Sequence, residues 1–301
     1  CGRLEIDRDK LAPLSESEAT GGYLREDAAR ALDLPAGIRV AVGGADAPAA
    51  ALGLGLASEA DSHGAVLISL GTGGQVLAPV SEPKVDAEGR LHGLCHVVPG
   101  QWCVMAAILS AAASLDWVVR LLHPDDPHGA RELLAAAATV PAGSDGLLFL
   151  PYLRGERTPH FDPAARGALV GLRMRHGPAE VTRAVLEGVA LALAEGLDLM
   201  RSIGVAPKAG VVAGGGVNKL WQQIIADVLD MPVALGATEH ASARGAALLG
   251  AVAAGIVPSS TQGTLPLPAD TRVMEPDPDR VRLYAEMAGP YRELYGRLPR
   301  L

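Results

Sequence analysis

The stretch VAVGGADAPAAALGLG, Val40 to Gly55, holds one ionisable side chain, Asp46, among glycines, alanines and apolar residues. A lone carboxylate where a strand gives way to a helix has two uses. As an N-cap it accepts a free backbone N–H of the first turn, with Pro48 placed where that turn starts. As an active-site base it stands at the carboxyl end of a strand, where α/β folds place their ligands. Gly43 and Gly44 let a ligand approach the backbone closely, so the two uses are compatible.

Three further stretches have the composition of a site. In LISLGTGGQV, the glycines around Thr72 form either a plain hairpin turn or a loop offering several N–H groups and a hydroxyl to a phosphate. In GVVAGGGVNKLWQQIIADVL, a strand, Gly214–Gly216 and a helix start form either a tight turn or a nucleotide crevice. PYLRGERTPHFDPAARG concentrates Arg154, Glu156, Arg157, His160, Asp162 and Arg166 in one loop, a surface salt-bridge cluster or the wall of a cleft. The spacing GxGxxG with an acid about 20 residues on does not occur, which disfavours a hydride-transfer enzyme, and the absence of GxxxxGK[ST] excludes a P-loop kinase.

These stretches must be held by the rest of the chain. Its 301 residues are 49% hydrophobic and 20% charged, enough for one large domain or two smaller ones. The net charge of -8 argues against a nucleic-acid or anionic-membrane surface, while still allowing a local anion site. Three cysteines without a CxxC pair suit a reducing cytoplasm. No apolar run reaches the length of a membrane span and no leader opens the sequence. The eight histidines lack HxxxH spacing, so no protein-made metal site is expected.

Short β-like runs alternate with longer helical patterns, which predicts an α/β architecture. The expected strands are Ile38–Val42, Ala65–Leu70, Gln75–Pro79, Gly146–Pro151, Gly210–Ala213 and Pro232–Gly236. The expected helices are Ser110–Leu122, Pro178–Ile203, Asn218–Leu229, Ser242–Ala254 and Arg280–Leu301, with a loop from Ser259 to Asp279.

Taken together, the stretches resemble the C-terminal half of the FGGY carbohydrate kinases, and within that family the xylulose kinases. GALVGLRMRHGPAEVTRAVLEG, Gly167 to Gly188, follows the family's second signature throughout. PYLRGERTPHFDP, CHVVPGQW and SAAASLDW are similar to further segments of that group, and the likeness runs the length of the chain. It implies an actin-like, ribonuclease-H-like ATPase fold, a mixed sheet flanked by helices, with two domains clasping a sugar and MgATP. Asp46, in GGAD, falls where the family has its catalytic base, and Ala47 follows it on the sugar side. Gly71, Thr72 and Gly73 match the loop that meets the ATP phosphates, and Ala112, Ala113 and Asp116 the segment bordering the nucleotide. Gly214, Gly215, Gly216 and Lys219 match the adenosine-side motif. Glu156 and Arg157 of the GERTP loop are expected to brace the cleft.

The sequence departs from the family in two places: Ala47-Pro48 replaces the asparagine that usually follows the base, and PHFD replaces PHND through Phe161. The Asp-x-Gly-Thr phosphate loop and the N-terminal sugar-binding domain are not among these residues. The expectation is therefore a fragment, residues 1–36 ending the sugar-binding domain and 37–301 forming the ATP-side domain, inactive alone. The implied function is ATP-dependent phosphorylation of a ketopentose, most directly D-xylulose, in the cytoplasm, with a homodimer among the assemblies allowed. The alternatives are a kinase for ribulose, fuculose or gluconate, or a non-catalytic nucleotide- or sugar-binding module.

Overall fold

The structure is a computed structural model that describes residues 7–124, 126, 128–236, 240–262 and 271–298. An antiparallel ribbon of β1 (Thr20–Tyr23) and β2 (Arg39–Ala41) encloses α1 (Glu26–Leu32) and spans the expected boundary at 36–37. Then follow α2 (Asp46–Gly53), α3 (Glu59–Ser62), β3 (Ala65–Leu70), β4 (Gly74–Val80), β5 (His92–Cys95) and β6 (Trp102–Ile108). The helices α4 (Ala112–Leu122) and α5 (Gly129–Ala137) precede the strand pair β7 (Leu148–Leu150) and β8 (Ala168–Val170). The chain closes with α6 (Pro178–Ser202), β9 (Ala209–Ala213), α7 (Lys219–Leu229), β10 (Val233–Leu235), α8 (Ala241–Ala253), β11 (Val273–Met274) and α9 (Pro278–Arg297).

Seven strands form one mixed sheet in the order β11-β10-β9-β3-β4-β6-β5. β3, β9 and β10 are parallel, and the remaining pairs are antiparallel. Because side chains alternate along a strand, β3 serves both faces. Val66, Ile68 and Leu70 join the larger core with Val185, Val189, Leu193 and Leu197 of α6, while Leu67 packs with Ala47, Ala51 and Leu54 on the opposite side. Ser69 belongs to that second side and thus to the helix that begins with Asp46.

The expected strands agree with β2, β3, β4, β7, β9 and β10 to within two residues at each end. Of the helices, α7 follows the expected start closely: Asn218 is its N-cap and accepts the Trp221 N–H at 3.0 Å. The last helix begins at Pro278 rather than Arg280, with its N-cap at Asp277. Five strands had no counterpart in the sequence reading: β1, β5, β6, β8 and β11, the last inside the stretch expected as loop. Residues 263–270 of that stretch lie outside the described residues. β6 escaped because it is central and covered on both faces, so its WCVMAAI run lacks the period-2 alternation of a half-buried strand. α5 was also missed.

Candidate active site

Asp46 opens α2, and the N-cap position belongs to Ala45, so the N-cap reading of Asp46 is corrected by one residue. Its Oδ1 accepts the N–H of Ala47 at 2.8 Å, which still satisfies a first-turn donor, and its charge complements the helix N-terminus. The carboxylate itself is exposed. α2 is fixed from behind by α8 at a contact only glycines allow. A Cβ on Gly53 would lie 2.1 Å from the Ala241 carbonyl, and one on Gly245 would lie 1.9 Å from that of Ala49. Ser242 Oγ adds a hydrogen bond of 3.0 Å to the Asp46 carbonyl.

The Gly71–Gly73 turn joins β3 to β4 as the hairpin reading expected. It is tied to the start of α4: Ala112 donates to the Gly71 carbonyl at 2.9 Å, and Ala111 and Ala113 donate to that of Thr72 at 2.9 and 3.3 Å. These amides are spent on the turn, so α4 positions Thr72 instead of offering its own N-terminus to an anion. At the neighbouring strand end, Gly214 has φ +136°, and a Cβ there would meet the Leu70 carbonyl at 2.2 Å. The Gly214–Gly216 turn therefore lies directly on the end of β3, and a Cβ on Gly216 would touch Ala112 at 3.2 Å.

The loop after β7 is pinned along the end of β6. Thr158 donates its N–H to the Ala107 carbonyl at 2.9 Å, and its Oγ1 accepts the Ala107 N–H at 3.1 Å. Glu156 points inward, 2% exposed, and its Oε1 accepts the N–H groups of Leu109 at 2.9 Å and Arg157 at 2.7 Å. Burial raises its carboxyl to about 7 despite those two donors, and Oε2 has no partner. Arg154 and Arg157, on either side, are exposed.

Three clefts open along the carboxyl end of β3. The first, about 490 Å3, is lined by Asp46, Ser69, the Gly71–Gly73 turn, Gln75, Arg154 and Arg157. The second, about 450 Å3, shares Thr72 and Arg154 with it and adds Ser110, Ala113, Asp116 and Arg120. The third, about 350 Å3, shares Ser69 and adds Gly214, His240 and Ser242. Asp46, Gly71, Thr72, Gly73, Asp116 and Gly214 thus come together around one strand end, and Ala112 and Gly216 touch behind them. Ala47 does not line a cleft: it is 7% exposed and its side chain packs with Leu67 and Leu77. Gly215 and Lys219 are exposed and line none of the three.

Ser69, Gln75 and Arg120 are site residues that the sequence reading did not name. Ser69 and Gln75 flank the Gly-Thr-Gly turn, where alternation could have assigned them to its face. The dense loop is divided by the fold: only Arg154 and Arg157 reach the cleft. His160 stacks on Tyr295 at 3.6 Å and bonds Tyr152, while Arg166 lines a separate, more apolar cavity of about 310 Å3. Among the described residues, a possible cation cluster of His123, Asp126 and Glu132 also lies outside these clefts, and no helix is long and apolar enough to cross a membrane.

Residues 66–254 match the sequence model of the FGGY family of carbohydrate kinases, C-terminal domain. A xylulose kinase from Klebsiella pneumoniae is 38% identical over 297 residues, 98% of this chain and 58% of that protein. The crystal structure of a xylulose kinase from Rhodospirillum rubrum superposes with a TM-score of 0.84 at 32% identity, covering 99% of this chain and 59% of its own. A gluconate kinase from Lactobacillus acidophilus gives a TM-score of 0.85 at 23% identity, covering 98% and 60%, a likeness of fold alone. The chain therefore spans about three-fifths of the length of these relatives. The shared fold is the actin-like ATPase fold, a mixed sheet flanked by helices.

Proposed function

This chain belongs to the FGGY family of carbohydrate kinases, and we propose that it forms the ATP side of a kinase that phosphorylates D-xylulose to D-xylulose 5-phosphate. One observation carries the reading: the Asp46 carboxylate and the Gly71–Gly73 turn line the same cleft, a proton acceptor facing a phosphate cradle.

A sugar hydroxyl is a poor nucleophile at neutral pH, so its proton must leave as the bond to phosphorus forms. Asp46 accepts that proton while the hydroxyl oxygen bonds to the γ-phosphorus and the bond from that phosphorus to the β,γ-bridging oxygen breaks, releasing ADP. Thr72 and the glycine amides beside it face the phosphates, and the Gly214–Gly216 turn lies toward the adenosine. Thr72 and Asp116, oxygen donors lining the second cleft, would hold a Mg2+ ion, which would neutralise phosphate charge there. A sugar-binding domain closing over the first cleft would exclude water from the transfer.

Burial of Ala47 moves the family difference at this position into the core, so the sugar must be read by other groups. The reading is tested by ADP release over a panel of D-xylulose, D-ribulose, fuculose and gluconate. The assay uses this chain joined to the portion of the Klebsiella pneumoniae relative that the match leaves out. The expected result is a kcat/KM for xylulose at least about tenfold above the others, a difference that one or two sugar-hydroxyl hydrogen bonds supply. Equal or better turnover of another member of the panel contradicts it.

A further inference from the structure

In a chain of net charge -8, ten of the described lysines and arginines pair with an acid. Arg90 pairs with Asp86, Arg175 with Asp145, Arg183 with Glu187, Arg280 with Asp227 and Arg292 with Asp198. The arginines of the clefts are among those that do not: among the described residues, Arg120, Arg154 and Arg157 form no ion pair, although Arg120 and Arg154 line a cleft with Asp116. A cation left unpaired beside an available carboxylate, on a firm support, is poised for an anion from outside.

The support is firm for Arg154. The loop that carries it is clamped to β6 by the Thr158 and Glu156 bonds, with the Glu156 carboxylate turned inward and the arginines outward. Arg154 and Thr72 are the two residues common to the first and second clefts. A second, independent observation lies beside them. Ser110 lines the second cleft and is fully buried, yet its hydroxyl has no hydrogen-bond partner. A buried hydroxyl without a partner costs free energy, and a phosphate oxygen entering that cleft supplies the missing acceptor.

We propose that Arg154 binds the polyphosphate of the nucleotide where the two clefts meet, holding the phosphoryl group that is transferred, with Ser110 donating to the same phosphate chain. The assignment rests on the kinase reading for its ligand but on the unpaired cation and the orphan hydroxyl for its position. Arg154 shares the first cleft with Asp46 and both clefts with Thr72, which puts its charge beside the phosphoryl group that is transferred. A planar guanidinium can hold two of those oxygens at once, which fixes orientation as well as charge.

Calorimetric titration of the chain with inorganic tripolyphosphate, ATP and AMP tests the assignment and separates it from the kinase reading. Arg154→Ala is expected to weaken tripolyphosphate and ATP about tenfold or more, the size of a charge-assisted hydrogen bond, and to leave AMP unchanged. Arg154→Lys restores part of the loss, and Arg166→Ala, in the separate cavity, leaves all three affinities unchanged. Wild-type affinity of Arg154→Ala for both polyphosphates overturns the inference while the kinase reading stands. Tripolyphosphate binding that needs Arg154, with no binding of ATP or AMP, supports the inference and overturns the kinase reading. No binding of any of the three overturns both.

Discussion

Glu156 lies between two arginines and faces the other way, and its titration is the most accessible consequence of that placement. Burial lifts its carboxyl from 4.5 to about 7. Folding therefore favours the protonated form, so its contribution falls as pH rises from about 4.5 to about 7, and levels off above. Glu195, also raised to about 7 by burial, acts in the same direction. His96 and His160, lowered by burial to about 4, act in the opposite one between about 4 and 6.5, so the absolute profile mixes both signs. The difference between wild type and Glu156→Gln isolates the one group. We predict that urea denaturation at pH 5, 6, 7 and 8 shows the variant gaining on wild type up to pH 7 and no further. The gain is up to about 1.4 kcal/mol per pH unit. A difference that does not vary with pH contradicts the burial account of this carboxyl.

At the scale of elements, the site is held by packing that the site residues do not reveal. α2 carries Asp46, and α8 holds α2 through the reciprocal approach of Gly53 and Gly245. A methyl group at Gly245 would collide with the Ala49 carbonyl, which cannot move without shifting the first turn of α2. Gly245→Ala is expected to cost about 1–3 kcal/mol, the range for overpacking, and to lower the unfolding midpoint in urea. An unchanged midpoint would mean that the two helices are not rigidly seated. Much of this frame was legible in the sequence. The extents of α6 and α7 and the glycine turns after β3 and β9 were read from local chemistry. What was not legible followed from tertiary context. β6 reads as an apolar run because it lies inside the sheet, with residues of both its faces buried. Ala47 lies next to the proposed base in sequence and points into the core, because successive residues of a helix do not share a face. Arg154 and Glu156 look alike in a charged loop until the loop docks on β6, which turns one outward and buries the other.

For the whole molecule, the stretch that carries the family resemblance best is not the stretch to which the proposed chemistry is assigned. Glu187, in the signature from Gly167 to Gly188, accepts from Arg183, Tyr284, Ser144 and Gly143, and a Cβ on Gly188 would meet the Phe149 carbonyl at 2.1 Å. These residues lock α6 against its neighbours and line none of the three clefts, so the signature reports how this fold is assembled. The proposed chemistry lies elsewhere in the same frame, at the cleft where Thr72 follows β3 and Asp46 opens α2. The most direct test of that placement is xylulose-dependent ADP release by Asp46→Asn, in the chain completed with the remaining portion of its relative. As the proton acceptor, Asp46 should account for about 10²–10⁴ in kcat, with the affinity for ATP retained. A variant that turns over xylulose as fast as the wild type would contradict the account.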